Sequence, residues 1–233
     1  MENLRPNQQR ANNAVILIWI CLIAAIFSLI SEYMQYNLIS DFANGGNLSM
    51  EDAESNDSRQ TLIGIIYFIA NIIYIVTFIM WFRRAYYNLH QKAGHRLEYS
   101  EGWAAGAWFV PIVNLYRPYQ IMKALYEETK RLFVQNDIKA DYNLSVNFIG
   151  WWWGLWIISN VVGNIVLRFY VRADTVDEIL TGTTISMISS IFEIILAVVT
   201  IKVIKDYSSV EHLLNKITIP ESQNNINSAG STH

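Results

Sequence analysis

The sequence predicts an all-α, polytopic membrane helical bundle. Its parts are four transmembrane helices, one proline-broken re-entrant or interfacial segment, and an amphipathic cytoplasmic helix. Three observations carry that expectation. Of the 233 residues, 52% are hydrophobic and only 16% charged, against roughly 25% charged in soluble domains. The apolar residues gather in four runs of the length needed to cross a hydrocarbon core of about 30 Å, about 20 residues in helix. Between the second and third runs lies a further apolar stretch, 102–120, interrupted by Pro111, Asn114, Arg117 and Pro118.

Residues 1–13 form a short cytoplasmic N-terminus ahead of a membrane domain over 14–206. The first run, 14–31, follows Arg5 and Arg10 as a secretion signal would. It lacks a small-x-small cleavage site and continues into Ser31, Glu32 and Tyr33, so an uncleaved anchor is expected. It holds the sole cysteine, Cys21, which excludes an intramolecular disulfide and a cysteine zinc cluster. Ile20, where a lipobox needs a small residue, leaves Cys21 as a small lipid- or helix-facing side chain. An acidic outer loop over 42–60 carries Glu51, Asp52, Glu54 and Asp57 without the spacing of a calcium loop. The second run, 61–82, closes on Trp81, Phe82, Arg83 and Arg84. The third, 148–167, opens on Trp151, Trp152, Trp153 and Trp156. Both aromatic groups suit a membrane–water interface. The fourth run is 184–204, and 207–233 reads as a cytoplasmic tail whose Asn- and Ser-rich end beyond Pro220 is disordered.

In segment 102–120, Pro111 and Pro118 each remove a backbone donor. Broken backbone survives at membrane depth only where protein buries it or water reaches it. The segment is therefore either a half-helix lining a cavity or a kinked plug. Residues 119–133 alternate as an amphipathic helix. Ile121, Met122, Leu125, Tyr126, Leu132 and Phe133 lie on one face, with Lys123, Glu127, Glu128, Lys130 and Arg131 on the other. Such a helix lies in the headgroup plane beside anionic lipid or docks a partner helix.

Orientation follows from the basic residues. If 102–120 leaves by the side it enters, the outer side keeps only Arg59, Arg168 and Arg172, and the other fourteen of the seventeen Lys and Arg lie inside. If it crosses completely, the split becomes eight against nine and the bias vanishes. Both termini are therefore expected in the cytoplasm. Arg83, Arg84, Lys123, Lys130 and Arg131 form a candidate patch for the membrane surface or a partner.

Each span carries a small or polar face at helical spacing. These are Cys21, Ala24, Ala25, Ser28 and Ser31 with Glu32; Gly64, Tyr67, Asn71 and Tyr74; Asn160, Gly163 and Asn164; and Ser186, Ser189, Ser190, Glu193, Ala197 and Thr200. Small residues permit close helix approach and amides bond across it, so these faces are expected to meet. Glu193 stands mid-span, where a charged side chain costs about 2.5–3.5 kcal/mol on insertion scales. It handles a proton or cation, or it serves as a neutral acid joining helices. Asn71, Asn160, Asn164, Asn114 and Arg117 complete the candidate intramembrane polar site.

No metalloprotease, nucleophile-elbow, phosphate-loop or dinucleotide motif occurs. All four histidines, and every Asp, fall outside the spans. No enzymatic activity, cofactor, metal or nucleic-acid partner is expected.

One string is more specific. Arg83 to Leu89, Gly102-Trp103, and Trp108 through Pro111, Asn114, Leu115, Arg117 and Pro118 to Gln120 resemble the bacterial membrane family named domain of unknown function 4328. The Trp-rich third span and the final span extend the resemblance over roughly residues 14–206. It implies a multi-span domain of the bacterial inner membrane with no assigned activity. Some members carry cytoplasmic extensions such as a zinc ribbon, which 13 residues and one cysteine are not expected to supply. The leading functional expectation is a non-enzymatic scaffold or partner-binding module, in contact with the bilayer and with anionic headgroups, alone or as a homo-oligomer. The alternative is a small transporter or channel subunit using the broken segment and Glu193.

Overall fold

The apolar runs become helices that outrun them at both ends. In the computed structural model, which describes residues 4–139 and 143–217, every regular element among the described residues is helical. The α-helices are α1 (Gln8–Ala43), α2 (Met50–Ala93), α3 (Trp103–Gly106), α4 (Arg117–Gln135), α5 (Val146–Arg172) and α6 (Val176–Glu211). Short 3₁₀ turns cover Gly94–Arg96, Val113–Leu115 and His212–Lys216. Four of the helices are long and apolar enough to cross a membrane. At 1.5 Å per residue the 44 residues of α2 extend about 66 Å, roughly twice a hydrocarbon core.

Capping chemistry accounts for the extra length. The 42–60 loop expectation is corrected, because only 44–49 lie between α1 and α2. The turn uses Gly45 at φ +91°. Ser49 then starts α2: its Oγ accepts the Asp52 N–H at 3.1 Å and its hydroxyl donates to the Asp52 carboxylate at 2.6 Å. Glu51 and Asp52 in the first turn complement the helix dipole. At α6 a capping box forms: the Glu178 N–H donates to Thr175 Oγ1 at 3.3 Å, and the Thr175 N–H donates back to Glu178 Oε2 at 3.1 Å. Helix α2 runs on past its apolar run through His90 to Ala93. The tail begins as helix through Glu211 and 3₁₀ turn through Lys216, while 218–233, with the end expected to be disordered, lie outside the described residues.

The chain divides into two compact units. The first comprises Met1–Ala14, Val76–Gly150 and Lys202–His233. Its core is aromatic: Trp81, Phe82, Tyr86, Tyr126, Phe133 and Tyr207 are fully buried. This corrects the interfacial expectation for Trp81 and Phe82. The Trp81 indole N–H instead donates to Ser208 Oγ at 3.0 Å. Helix α4 turns its apolar face, Ile121, Met122, Leu125, Tyr126, Leu132 and Phe133, into this core. The Tyr126 hydroxyl donates to the Val203 carbonyl at 2.9 Å, and its ring stacks on Tyr207 at 6.1 Å. The face expected to meet headgroups or a partner helix is thus taken up by the chain's own α6. Burying each of these large side chains contributes about 1.5–3 kcal/mol.

Segment 102–120 belongs to this unit. It makes one turn of helix (α3), a run of turns and a 3₁₀ turn. Pro118, read as an interruption, sits in the first turn of α4, where a missing N–H is tolerated. The real break is at Pro111–Ile112, with Ile112 in the left-handed region at φ +67°, an unusual cost for a β-branched residue. Phe109, Val110 and Ile112 at this knuckle are exposed.

The second unit comprises Val15–Ile75 and Trp151–Ile201, two helical hairpins made of most of α1 with the first part of α2, and most of α5 with the first part of α6. Protein covers little of the apolar surface here. Only 11% of the most apolar window of α2 and 6% of that of α5 are buried, so an apolar solvent is needed around them. Inward positions are small or polar: Cys21 and Ala25 on α1, Ser159 on α5, Ser189 and Ser190 on α6.

Candidate functional site

Helical spacing brings one stripe from each long helix to a common cavity within the second unit. Helix α1 presents Ile18, Cys21 and Ala25; α2 presents Tyr67, Asn71 and Tyr74; α5 presents Trp156, Ser159, Asn160, Gly163 and Asn164; α6 presents Glu193, Ala197 and Thr200. The cavity holds about 430 Å³, within the range of small-molecule sites. Among the described residues, Glu193 is the one acidic side chain of its lining, and no Lys or Arg lines it.

The polar groups are held locally. The Tyr67 hydroxyl donates to Glu193 Oε2 in a short hydrogen bond, and the Ser189 side chain bonds the same carboxyl. Asn71 Nδ2 donates to the Tyr67 carbonyl at 3.1 Å. Asn160 and Asn164 donate to the carbonyls of Trp156 and Asn160, each at 2.8 Å. Each amide thus spends a donor on its own helix, which restrains its rotamer. The Trp156 ring stacks on Trp153 at 4.5 Å.

A second cavity of about 700 Å³ in the same unit is lined by Glu32, Gln35, Asp57, Gln60, Glu178 and Ser186, among others, and again by no Lys or Arg among the described residues. Glu32 accepts from the Ser186 hydroxyl at 2.6 Å and from the Ser190 hydroxyl at 3.0 Å. Asp57, expected in a solvated loop, lies on α2 at this wall.

Of the predicted polar site, Glu193, Asn71, Asn160 and Asn164 line the first cavity; Asn114 and Arg117 do not. In the first unit the Arg117 guanidinium lies 4.2 Å from the Trp103 ring centre and 4.5 Å from that of Tyr99. The loop carrying Tyr99 is tied down, its carbonyl taking the Tyr86 hydroxyl and His90 Nε2, each at 2.9 Å. Burial pushes the His90 ring below its ordinary value, against the Tyr99 bond and Glu101, so the neutral Nε2–H tautomer fits this contact. In the predicted basic patch Arg83, Lys130 and Arg131 are exposed. Lys123 pairs with Glu127 at 3.6 Å and Arg131 with Glu128 at 3.1 Å.

Sequence reasoning missed two groups. Ser159 precedes the Asn160 stripe by one residue and reads as an ordinary helix serine. Glu211 lay in the presumed tail, yet it is 6% exposed. It accepts from Asn88 Nδ2 at 2.7 Å and Asn7 Nδ2 at 3.0 Å. Asn88 also exchanges bonds with the Arg5 backbone, each at 2.9 Å, so this carboxyl fastens the N-terminal segment to α2 and α6. An acid two helical turns past the apolar run, on the face of Ile204 and Tyr207, was the available signal.

Among known proteins, a family model described as domain of unknown function (DUF4328) matches residues 44–209. No curated protein and no solved structure matches the chain.

Proposed function

The chain belongs to the DUF4328 family, and we propose that its four-span region is a membrane-embedded binding unit for a small solute, a transporter or channel subunit in class. It works in the bacterial inner membrane with both termini in the cytoplasm. One observation carries this: the polar stripes of all four long helices line a cavity of about 430 Å³ instead of sealing against one another. Polar and ionisable groups at membrane depth are costly and ordinarily mark a pathway or a site. Glu193 supplies the charge, Asn71, Asn160 and Asn164 the amides, and Tyr67 and Trp156 the walls. No bond-making step is assigned to these residues.

The knuckle at Phe109, Val110 and Ile112 is an interfacial anchor, since its apolar side chains are exposed on the first unit. Helix α4 lies on the cytoplasmic side with its charged face outward. The exposed Arg83, Lys130 and Arg131 favour a second role, a scaffold surface for anionic headgroups or a partner protein. Near an anionic membrane surface each such charge contributes about 1 kcal/mol.

Thiol accessibility tests the cavity. In a Cys21→Ala background, Asn160→Cys in sealed vesicles is expected to react with a membrane-impermeant thiol reagent. Failure to react, while an Asn47→Cys control at an exposed position of the α1–α2 turn reacts, overturns the solute-binding function.

A further inference from the structure

We propose that the cavity around Glu193 takes a small organic ammonium ion that also carries a hydroxyl or carbonyl group, its charge held by Glu193 and its polar group by Ser159. This deepens the solute-binding function and rests on it. Charge is the first ground. The described hydrogen bonds to Glu193 come from neutral hydroxyls, Tyr67 and Ser189, which orient a carboxylate without cancelling its charge. Among the described residues no Lys or Arg lines the cavity to do so. A cationic ligand completes the pair.

Charge and size argue against a bare divalent metal ion. Sites for calcium gain affinity with the charge count of their ligands, whereas the described lining offers one carboxyl, and no group of three His, Cys, Asp or Glu suited to a metal occurs among the described residues. A single ion would leave most of about 430 Å³ empty. The aromatic walls Tyr67, Tyr74 and Trp156 suit an organic cation, because ring faces attract an ammonium group. Stacking on Trp153 holds the Trp156 ring in place.

Ser159 is the independent sign of a ligand. It is 8% exposed, lines the cavity, and its Oγ has no hydrogen-bond partner among the described residues. Hydroxyls in helices ordinarily bond back to the carbonyl four residues earlier. Thr200, on the same cavity, does so at 2.7 Å to Leu196, and Thr183 does so at 2.8 Å to Ile179. A buried hydroxyl that forgoes this bond is poised for a group not supplied by the chain.

Three probes separate the two contacts: 2-amino-1-phenylethanol, phenethylamine, which lacks the hydroxyl, and the neutral 1-phenyl-1,2-ethanediol. Binding is measured by calorimetry to the full chain in zwitterionic nanodiscs, with empty discs subtracted. The amino alcohol is expected to bind about tenfold more tightly than the diol and about fivefold more tightly than phenethylamine. Glu193→Gln should abolish the first difference, Glu193→Asp should keep it, and Ser159→Ala should abolish the second alone. Equal binding of diol and amino alcohol overturns the proposal, as does a charge preference that survives Glu193→Gln. Absence of binding by all three probes, with Asn160→Cys still accessible, overturns the ligand class while sparing the cavity. An inaccessible Asn160→Cys overturns both.

Discussion

Glu211 makes the sharpest stability prediction. Replacing it with alanine takes one acceptor from each of two buried amides, Asn7 at 4% and Asn88 at 2% exposure, which keep their bonds to the Trp81 and Arg5 carbonyls. Each amide N–H left unpaired costs about 1–3 kcal/mol. Relief of the desolvated carboxyl offsets part of that sum, leaving a net loss of about 3 kcal/mol, or about 9 °C in Tm for a chain of this size. Trp81, whose carbonyl accepts from Asn7 Nδ2 at 3.2 Å, reports on the same core. Tryptophan fluorescence during heating in detergent is therefore a suitable assay. Lys205→Ala, at an exposed position on α6, is the control and should lie within about 0.5 kcal/mol of the parent. If Glu211→Ala melts with that control, the buried carboxyl is not the fastening described. The pH dependence has a definite sign. Burial raises the Glu211 pKa above the ordinary 4.5, against the lowering effects of Asn88, Asn7 and Arg84. Its contribution to stability is then fully present below 4.5 and declines as pH rises through the folded value.

Glu178 should behave oppositely. The Asp174 N–H, then the Thr175 hydroxyl and N–H, hold its carboxyl below the ordinary 4.5. Its contribution is present above that value and is lost as pH falls through the lower folded one. The protection factors of amides in the first turn of α6, taken relative to intrinsic exchange at each pH, should therefore fall below pH 4.5, and Glu178→Gln should remove that dependence. Arg117→Ala removes a guanidinium held over Trp103 and Tyr99 and should cost about 1–2 kcal/mol in thermal unfolding. Arg117→Lys should recover only part of it, and full recovery would mean that charge alone matters there.

The four long helices were legible because about 20 consecutive apolar residues have few other uses. Their ends were not. Ser49 and Thr175 begin helices inside polar stretches that hydropathy reads as loop, and α2 carries the Arg83–Leu89 string on past its apolar run. Spacing near 3.6 placed Tyr67 with Asn71 and Tyr74, and Asn160 with Gly163 and Asn164, on single helix faces, and those faces line the cavity. It had no means of relating Asn114 or Arg117 to them, because partners across a fold depend on packing and not on spacing. Pro118 shows the same limit at short range. A proline in mid-helix and one in a first turn are the same letter, distinguished only by Tyr116 at φ −139° ahead of α4. The aromatic core at Trp81, Tyr126 and Tyr207 was hidden for a related reason, since Trp beside Arg also describes an interfacial belt.

The central claim is that water reaches the cavity at membrane depth, and hydroxyl-radical footprinting of the unaltered chain in nanodiscs measures it most directly. Tyr67 and Trp156, which line the cavity, are expected to oxidise at rates near that of the half-buried Tyr99, while the fully buried Tyr126 and Tyr207 stay unmodified. Protection of Tyr67 and Trp156 equal to that of Tyr126 and Tyr207 would contradict the account: the stripes would be sealed, and Glu193 would serve only to join helices.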